Sequence, residues 1–133
     1  MGEPLSGGCL CGAIAYRIAA PPIDAGYCHC RICRHASAAP VVPWLTVPAD
    51  GFAYTAGRPV VYSSSDHGRR EFCGACGTQL VFRSDKLLGE VDVTIASLAD
   101  PAAVAPEYHI WRESRIPWFE TADALPRHDR SER

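Results

Sequence analysis

A chain of 133 residues with 47% hydrophobic residues has the size and composition of one globular domain. Its formal net charge of −2 excludes the strongly basic surface that favours nucleic acid, and no apolar run reaches the roughly 18 residues needed to span a membrane. The opening residues MGEPLSGG lack the basic start and apolar centre of a signal peptide, so we expect a cytoplasmic protein with reduced thiols.

The predicted elements are short strands separated by turns, because eleven glycines and eleven prolines favour turns over long helices. In chain order, we expect a turn at Gly7–Gly8 and strands or extended segments over residues 13–18, 25–28, 41–47, 52–55, 60–64, 69–73, 78–82, 91–95 and 108–111. One or two helical turns are expected over 30–37, and a short helix over 97–104 capped by Ser97. Pro43 should place its strand at a sheet edge or a bulge. The pattern predicts a mainly β fold with few short helices.

Seven cysteines carry the strongest functional signal, because they fall into three closely spaced groups. The groups are Cys9-x-Cys11, Cys28-x-Cys30-x-x-Cys33 and Cys73-x-x-Cys76. The two pairs supply four thiolates, which make a closed tetrahedral set, and the triplet supplies three, which leaves one position open. Closed zinc sites hold folds together, whereas open sites bind substrates. The sequence therefore predicts two Zn²⁺ sites, one structural and one of catalytic type.

Glycines flank both cysteine pairs of the closed site, at Gly8, Gly12, Gly74 and Gly77. Glycine adopts positive φ, which allows tight turns that point backbone N–H groups at sulfur. Cys9, Cys11, Cys73 and Cys76 should thus clip the first strand to a central hairpin through a structural zinc ion. The alternative is a set of buried, unligated cysteines or disulfides.

The triplet Cys28, Cys30 and Cys33 favours a soft fourth ligand. Three thiolates give bound zinc a formal charge of −1, so it acidifies water poorly and suits exchange for an incoming thiolate. Arg31 and Arg34 could offset charge or hold a substrate carboxylate. One alternative is a redox pair of Cys30 and Cys33. Another is closure of the site by a distant histidine, His67 or His109, which would make it structural.

Several other residues have two interpretations each. Trp44, Trp111 and Trp118 either line a pocket around the open site or pack in the core. His109 either faces the open site as a substrate-binding residue or is structural, and His29 points outward or supports a ligand. Arg69 and Arg70 are expected to be a solvated strand end.

Three stretches together resemble the glutathione-dependent formaldehyde-activating (GFA) and centromere protein V (CENP-V) family. They are GGCLCGAIAY, CHCRICRHAS and FCGACGTQL, and the later HIWRESRIPWF is also similar to that family. The resemblance implies several coiled antiparallel β-sheets stapled by a four-cysteine zinc site, as in zinc-binding exchange-factor chaperones. It also implies one domain over residues 1–126, and residues 127–133 are expected to be a frayed polar tail.

The resemblance implies structural ligands at Cys9, Cys11, Cys73 and Cys76 and a substrate-side zinc at Cys28, Cys30 and Cys33. The activity it suggests is the condensation of formaldehyde with glutathione to S-hydroxymethylglutathione, which is formally that of a carbon–sulfur lyase. The competing interpretation is a non-enzymatic zinc module that binds a protein partner. We expect a small thiol as the partner molecule, with no nucleic acid and no membrane.

Overall fold

The computed structural model describes residues 4–131, and its architecture is mainly β, as predicted. The described strands are β1 (Leu5–Gly8), β2 (Ala15–Ile18), β3 (Asp24–Cys28), β4 (Val42–Pro48), β5 (Phe52–Ala56), β6 (Val60–Ser63), β7 (Gly68–Phe72), β8 (Gln79–Ser84), β9 (Glu90–Thr94) and β10 (His109–Ile110). One α-helix, α1 (Arg31–Ser37), follows β3. Short 3₁₀ turns occupy Ala49–Gly51, Ile95–Ser97, Pro101–Ala103 and Arg112–Ser114. No helix within 4–131 is long and apolar enough to cross a membrane.

The strands form two sheets. The smaller sheet has the order β1-β2-β5, and the larger has the order β10-β3-β4-β9-β8-β7-β6. Neighbours pair antiparallel except for β10, which lies parallel to β3. Strands that are distant in sequence therefore meet in the middle of the larger sheet, where β4 contacts both β3 and β9.

The small sheet packs on one face of the large sheet, and the core lies between them. The large sheet contributes a row of paired residues that are at most 2% exposed: Ala25, Leu45, Val93 and Val81. Tyr16, Ile18 and Phe52 of the small sheet belong to the same cluster. Burial of this apolar surface is the main favourable term for the fold.

The opposite face of the large sheet is left free of the small sheet. Side chains alternate along a strand, so the neighbours of the core residues point to this second face. Thr46, Asp92, Phe82 and Arg70 form one paired row across it. The helix α1 and the segment around Tyr108 to Trp111 line the same side, and a cavity lies between them.

Two local predictions near the small sheet are wrong. The predicted Gly7–Gly8 turn is the end of strand β1, where the hydroxyl of Tyr16 lies so close that a Cβ on Gly7 would clash. The predicted helix over 97–104 contains a single 3₁₀ turn, Pro101–Ala103, which is capped by Asp100 and not by Ser97; Ser97 ends the preceding turn, Ile95–Ser97. The Ser97 hydroxyl instead bonds Thr94 and Tyr16, so it is not free to cap.

Pro43 does not mark a sheet edge, because β4 is an interior strand. Tyr27, its partner on β3, donates its N–H away from β4 to the carbonyl of Tyr108. The ladder to β9 begins only at Trp44. A proline is tolerated at position 43 because neither neighbouring strand needs its missing N–H.

The expected fraying after residue 126 does not hold for residues 127–130. The N–H of His128 donates to the carbonyl of His109, and the N–H of Arg112 donates to the carbonyl of His128. Arg127 and Arg130 pair with Asp123 and Glu113. Backbone pairing to β10 therefore orders a segment that polarity alone marked as free. Residues 1–3 and 132–133, the ends of the predicted domain and tail, lie outside the described residues.

We expect Ala38→Gly to stabilise the fold. Ala38 ends α1 in the left-handed region with φ of 56°, which costs a residue with a Cβ about 1–2 kcal/mol. Glycine removes that cost but loses about 0.5–1 kcal/mol of chain entropy, so a net gain of about 0.5–1 kcal/mol should appear in chemical denaturation with zinc in excess. The matched variant Ala39→Gly, at a position without positive φ, should lower stability. Equal losses in both variants would contradict this account.

Candidate functional site

The structure brings the four cysteines of the predicted closed site together. The Sγ atoms of Cys9, Cys11, Cys73 and Cys76 all lie within 4.8 Å of one another. Cys11 Sγ is 3.7 Å from Cys9 Sγ and 3.8 Å from Cys73 Sγ. The cluster joins the loop after β1 to the loop between β7 and β8, as the sequence predicted.

Glycines shape the two loops that carry these sulfurs. Gly12 follows the first pair with φ of 81°, and Gly77 follows the second with φ of 82°. Their N–H groups donate to the carbonyls of Cys9 and Cys73, which closes each loop as a tight turn. A residue with a Cβ would be strained at either position. The flanking glycines therefore have a physical reason in the geometry of the cluster.

Hydrogen bonds orient the sulfurs of Cys9 and Cys76 and favour the ionised form of both. The N–H of Ile14 donates to Cys9 Sγ at 3.2 Å. The Thr78 hydroxyl accepts from the N–H of Leu10 at 3.0 Å and lies 3.3 Å from Cys76 Sγ, so its own hydrogen is available to that sulfur. This hydroxyl contact is the largest cause that lowers the pKa of Cys76 to about 5. Thr78 therefore links the two loops and supports a thiolate ligand.

The four-sulfur cluster fits a tetrahedral metal ion. Zinc–sulfur bonds of about 2.3 Å in a tetrahedron imply sulfur–sulfur separations of about 3.8 Å. The observed contacts of 3.7 and 3.8 Å match this value and far exceed a disulfide bond of about 2.05 Å. All seven cysteines are free thiols. The cluster could therefore hold a soft metal ion.

The second cluster contains only the triplet. Cys28 ends β3, Cys30 is the N-cap of α1 and Cys33 lies in the first turn of that helix. Cys33 Sγ is 3.4 Å from Cys28 Sγ, and the N–H of Cys33 donates to Cys30 Sγ at 3.2 Å. Hydrogen bonds from Cys28, and then from Cys33, lower the pKa of Cys30. The helix start thus gathers three sulfurs, one of which readily carries negative charge.

Within the described residues, no fourth side chain completes the triplet. Its three sulfurs lie within 4.8 Å of one another, and neither His67 nor His109 joins the group. Closure by a distant histidine is therefore not seen in residues 4–131. The three sulfurs could hold a metal ion with a position left for an outside ligand.

A cavity of about 270 Å³ opens onto the triplet. Trp44, Phe82, Ile110, Trp111 and Tyr108 provide much of its wall, and Lys86, Glu90 and Asp92 also line it. Two of the three tryptophans considered from the sequence, Trp44 and Trp111, thus border the open site. The third, Trp118, is 76% exposed and does not line the cavity. Aromatic walls beside an open sulfur cluster suit a small ligand held away from water.

Arg70 is a residue of the candidate site that sequence reasoning missed. Arg70 was expected to be solvated at a strand end, but it is only 6% exposed. It lines the cavity together with the three cysteines of the triplet. Its Nη2 donates to Cys33 Sγ at 3.6 Å, and its Nε donates to Ser64 Oγ at 3.1 Å. Because side chains alternate along a strand, the sequence could have shown that Arg70 and Arg69 point to opposite faces of the sheet. Only the pairing of β7 with β8 shows that Arg70 lies on the face that carries the sulfurs.

A buried chain of histidines supports the backbone of the triplet. His29 Nε2 is 2.8 Å from His109 Nδ1, and His109 Nε2 is 3.1 Å from a carboxylate oxygen of Asp123. The two rings are at most 1% exposed. Burial lowers the pKa of His29 to about 4, and hydrogen bonds from Thr121, Leu125 and His109 lower the pKa of Asp123. An ionised Asp123 accepts the Nε2–H of His109, whose Nδ1 then accepts from Nε2–H of His29.

The structure does not bring the two predicted substrate-binding residues to the cavity. His109 is fully buried between His29 and Asp123 and has no surface for a ligand. Arg34 points elsewhere, and its Nη2 donates to the carbonyl of Ser114 at 3.2 Å. Arg31 is exposed and also lies outside the cavity wall. These placements favour supporting roles for His109 and Arg34.

Comparisons with known proteins agree with this architecture. Residues 4–114 match a family model described as "Glutathione-dependent formaldehyde-activating enzyme". A search of curated proteins found no match. A crystal structure of a Rhodobacter sphaeroides protein is similar in fold, with a TM-score of 0.62 and 22% identity over 74% of this chain and 93% of that chain. Because the family model covers most of its length, the chain belongs to the glutathione-dependent formaldehyde-activating enzyme family.

Proposed function

We propose that this protein is a zinc-dependent enzyme of the carbon–sulfur lyase type that acts on a small thiol adduct such as S-hydroxymethylglutathione. The observation that carries the proposal is the three-sulfur cluster, which has no fourth protein ligand within residues 4–131 and opens into an aromatic cavity. The family match supports glutathione as the thiol. A reducing compartment such as the cytoplasm belongs to the proposal, because the cluster needs free thiols.

The two clusters divide the metal chemistry. Cys9, Cys11, Cys73 and Cys76 would hold a structural zinc, because four sulfurs fill the coordination sphere. Cys28, Cys30 and Cys33 would hold the second ion, which when bound supplies a soft Lewis-acid position that favours a thiolate over water. The difference in sulfur number is therefore the reason for assigning a structural role to the four-sulfur cluster and a substrate-binding role to the triplet.

The proposed reaction is the addition of a thiol to the carbonyl carbon of formaldehyde, or its reverse. The sulfur lone pair forms the carbon–sulfur bond while the carbonyl π electrons move to oxygen, which takes up one proton for the one lost by the thiol. Trp44, Phe82 and Trp111 exclude water from the reacting atoms. The volume of about 270 Å³ lies just below the usual roughly 300–1,000 Å³ of ligand pockets, which favours a small substrate.

The test of this proposal is exchange spectroscopy on glutathione and formaldehyde at equilibrium. We expect the zinc-loaded protein to accelerate exchange between free and S-hydroxymethyl glutathione above the spontaneous rate, in proportion to its concentration. Protein with zinc bound only at the four-sulfur cluster serves as the control and should give the spontaneous rate. No acceleration by protein with both clusters loaded would overturn the proposed activity.

A binding module for a protein partner is the second candidate, and one observation favours it. The strand β6 lies at the edge of the large sheet, and its residues Val60, Val61 and Tyr62 are 46%, 52% and 64% exposed. Exposed apolar edge strands can pair with another chain. This candidate predicts that the second cluster is inert toward thiols.

A further inference from the structure

Arg70 occupies an unusual position for a cation. It is 6% exposed, and its guanidinium carbon lies 4.9 Å from the centre of the Phe82 ring and 6.0 Å from that of Trp44. Within residues 4–131, none of the ion pairs includes Arg70. A buried charge without a counter-charge is strongly unfavourable, so its negative partner must be found in its surroundings.

The sulfur cluster is that partner. Arg70 Nη2 contacts Cys33 Sγ at 3.6 Å, while the bond from Nε to Ser64 Oγ fixes the plane of the guanidinium. The Phe82 and Trp44 rings also lie within cation–π distance of the guanidinium, a favourable contact for an arginine. These contacts fix the position of the Arg70 side chain beside the triplet.

The contact with Arg70 changes the net charge of the metal-loaded triplet. Three thiolates and one divalent ion sum to −1, and Arg70 brings the sum to zero. An anionic fourth ligand would then bring the net charge to −1, whereas without Arg70 it would bring the net charge to −2. The cavity wall is mostly aromatic and apolar, so charges are weakly screened there and that difference is large. Lys86, Glu90 and Asp92, which also line the cavity, are present with or without Arg70 and do not change the difference.

We infer that Arg70 is a specificity-determining residue, which neutralises the triplet and so allows an anionic thiolate to take the open position in preference to a neutral ligand. The inference rests on the proposed function, since it assumes that a thiol binds there. It assigns to Arg70 the charge-offsetting role that the sequence suggested for Arg31 and Arg34. Arg70 acts through the cluster and the incoming ligand, not through a proton transfer.

The experiment compares two ligands on cobalt-substituted protein, read from the cobalt–thiolate spectrum. 2-Mercaptoethanol is the anionic probe, since it has no carboxylate that Arg70 could bind separately, and imidazole is the neutral probe. We expect Arg70→Met to weaken 2-mercaptoethanol binding by about tenfold or more and imidazole binding by less than about threefold. Arg83→Met is the matched control, because Arg83 stacks on Phe52 and pairs with Glu71 away from the cavity. It should leave both affinities unchanged.

The outcomes separate this inference from the proposed function. If wild-type protein does not respond to 2-mercaptoethanol, the proposed function fails and the inference fails with it. If wild type responds and Arg70→Met responds equally, only the inference is overturned. Should Arg70→Met not fold, Arg70→Lys decides the matter. Because lysine keeps the charge, the ratio of the two affinities should stay within about threefold of wild type, and a tenfold loss of thiol preference would contradict us.

Discussion

Replacement of Cys73 by serine should leave the chain largely unfolded. Cys73 is 1% exposed, belongs to the core cluster and carries one of four sulfurs that tie the loop after β1 to the β7–β8 loop. Structural zinc contributes on the order of 10 kcal/mol of folding free energy, while whole domains are stable by only about 5–15 kcal/mol. Loss of the site should therefore remove most of the net stability, as measured by the thermal transition in circular dichroism.

Zinc analysis of the same variant provides the second readout. The Cys73→Ser protein should lose the ion of the four-sulfur cluster, and its melting transition should become weak or absent. The matched control is Cys30→Ser, the same substitution in the other cluster, which should melt close to wild type. A Cys73→Ser variant with unchanged melting and unchanged zinc content would show that the four sulfurs do not hold a zinc ion that stabilises the fold.

The second large effect is expected from Cys30→Ser on ligand binding. Cys30 caps α1 by accepting the N–H of Cys33, and serine is a good N-cap, so the helix should survive the exchange. The triplet, however, loses one of its three sulfurs. We expect the spectral response of cobalt-substituted protein to glutathione to disappear and the catalysed exchange to fall to the spontaneous rate.

The control for this result lies in the first cluster. The cobalt–thiolate signal of Cys9, Cys11, Cys73 and Cys76 should stay intact in Cys30→Ser, because the two clusters share no ligand. His35→Ala, a change at an exposed position of α1 outside the cavity wall, should keep the glutathione response. If Cys30→Ser responds to glutathione as strongly as wild type, the triplet is not where the thiol binds.

The sequence predicted the sulfurs within each cysteine group because ligand spacing is a local property, and it joined Cys9 and Cys11 to Cys73 and Cys76 because four thiolates close a tetrahedral site. Within C-x-C and C-x-x-C pairs, a tight turn brings the sulfurs together, and Gly12 and Gly77 mark those turns by their positive φ. The mainly β architecture also followed from short apolar runs and frequent turn residues. These features need no knowledge of which strands are neighbours.

Apart from Trp44 and Trp111, the residues around the open site could not be predicted, because their positions depend on sheet order and register. Arg70 is adjacent to Arg69 in sequence, yet pairing with Phe82 turns it to the cavity face. The sequence left His109 as either a substrate-binding or a structural residue, and parallel pairing of β10 with β3 buries it beside His29. Pro43 suggested an edge strand, and its interior position is explained because β9 ends at Thr94, opposite Trp44, so that Pro43 has no partner on β9.

Stepwise removal of metal is the most direct test of the claim that one cluster is structural and the other binds the ligand. Metal analysis and circular dichroism are followed together while a mild chelator is added to protein saturated with zinc. We predict two zinc ions per chain, of which the ion at Cys28, Cys30 and Cys33 leaves first without change in the circular dichroism spectrum, because three ligands from one short segment chelate less strongly than four from two segments. The second ion should leave only as the fold is lost. Release of both ions in a single unfolding step, or saturation at one ion per chain, would contradict the account.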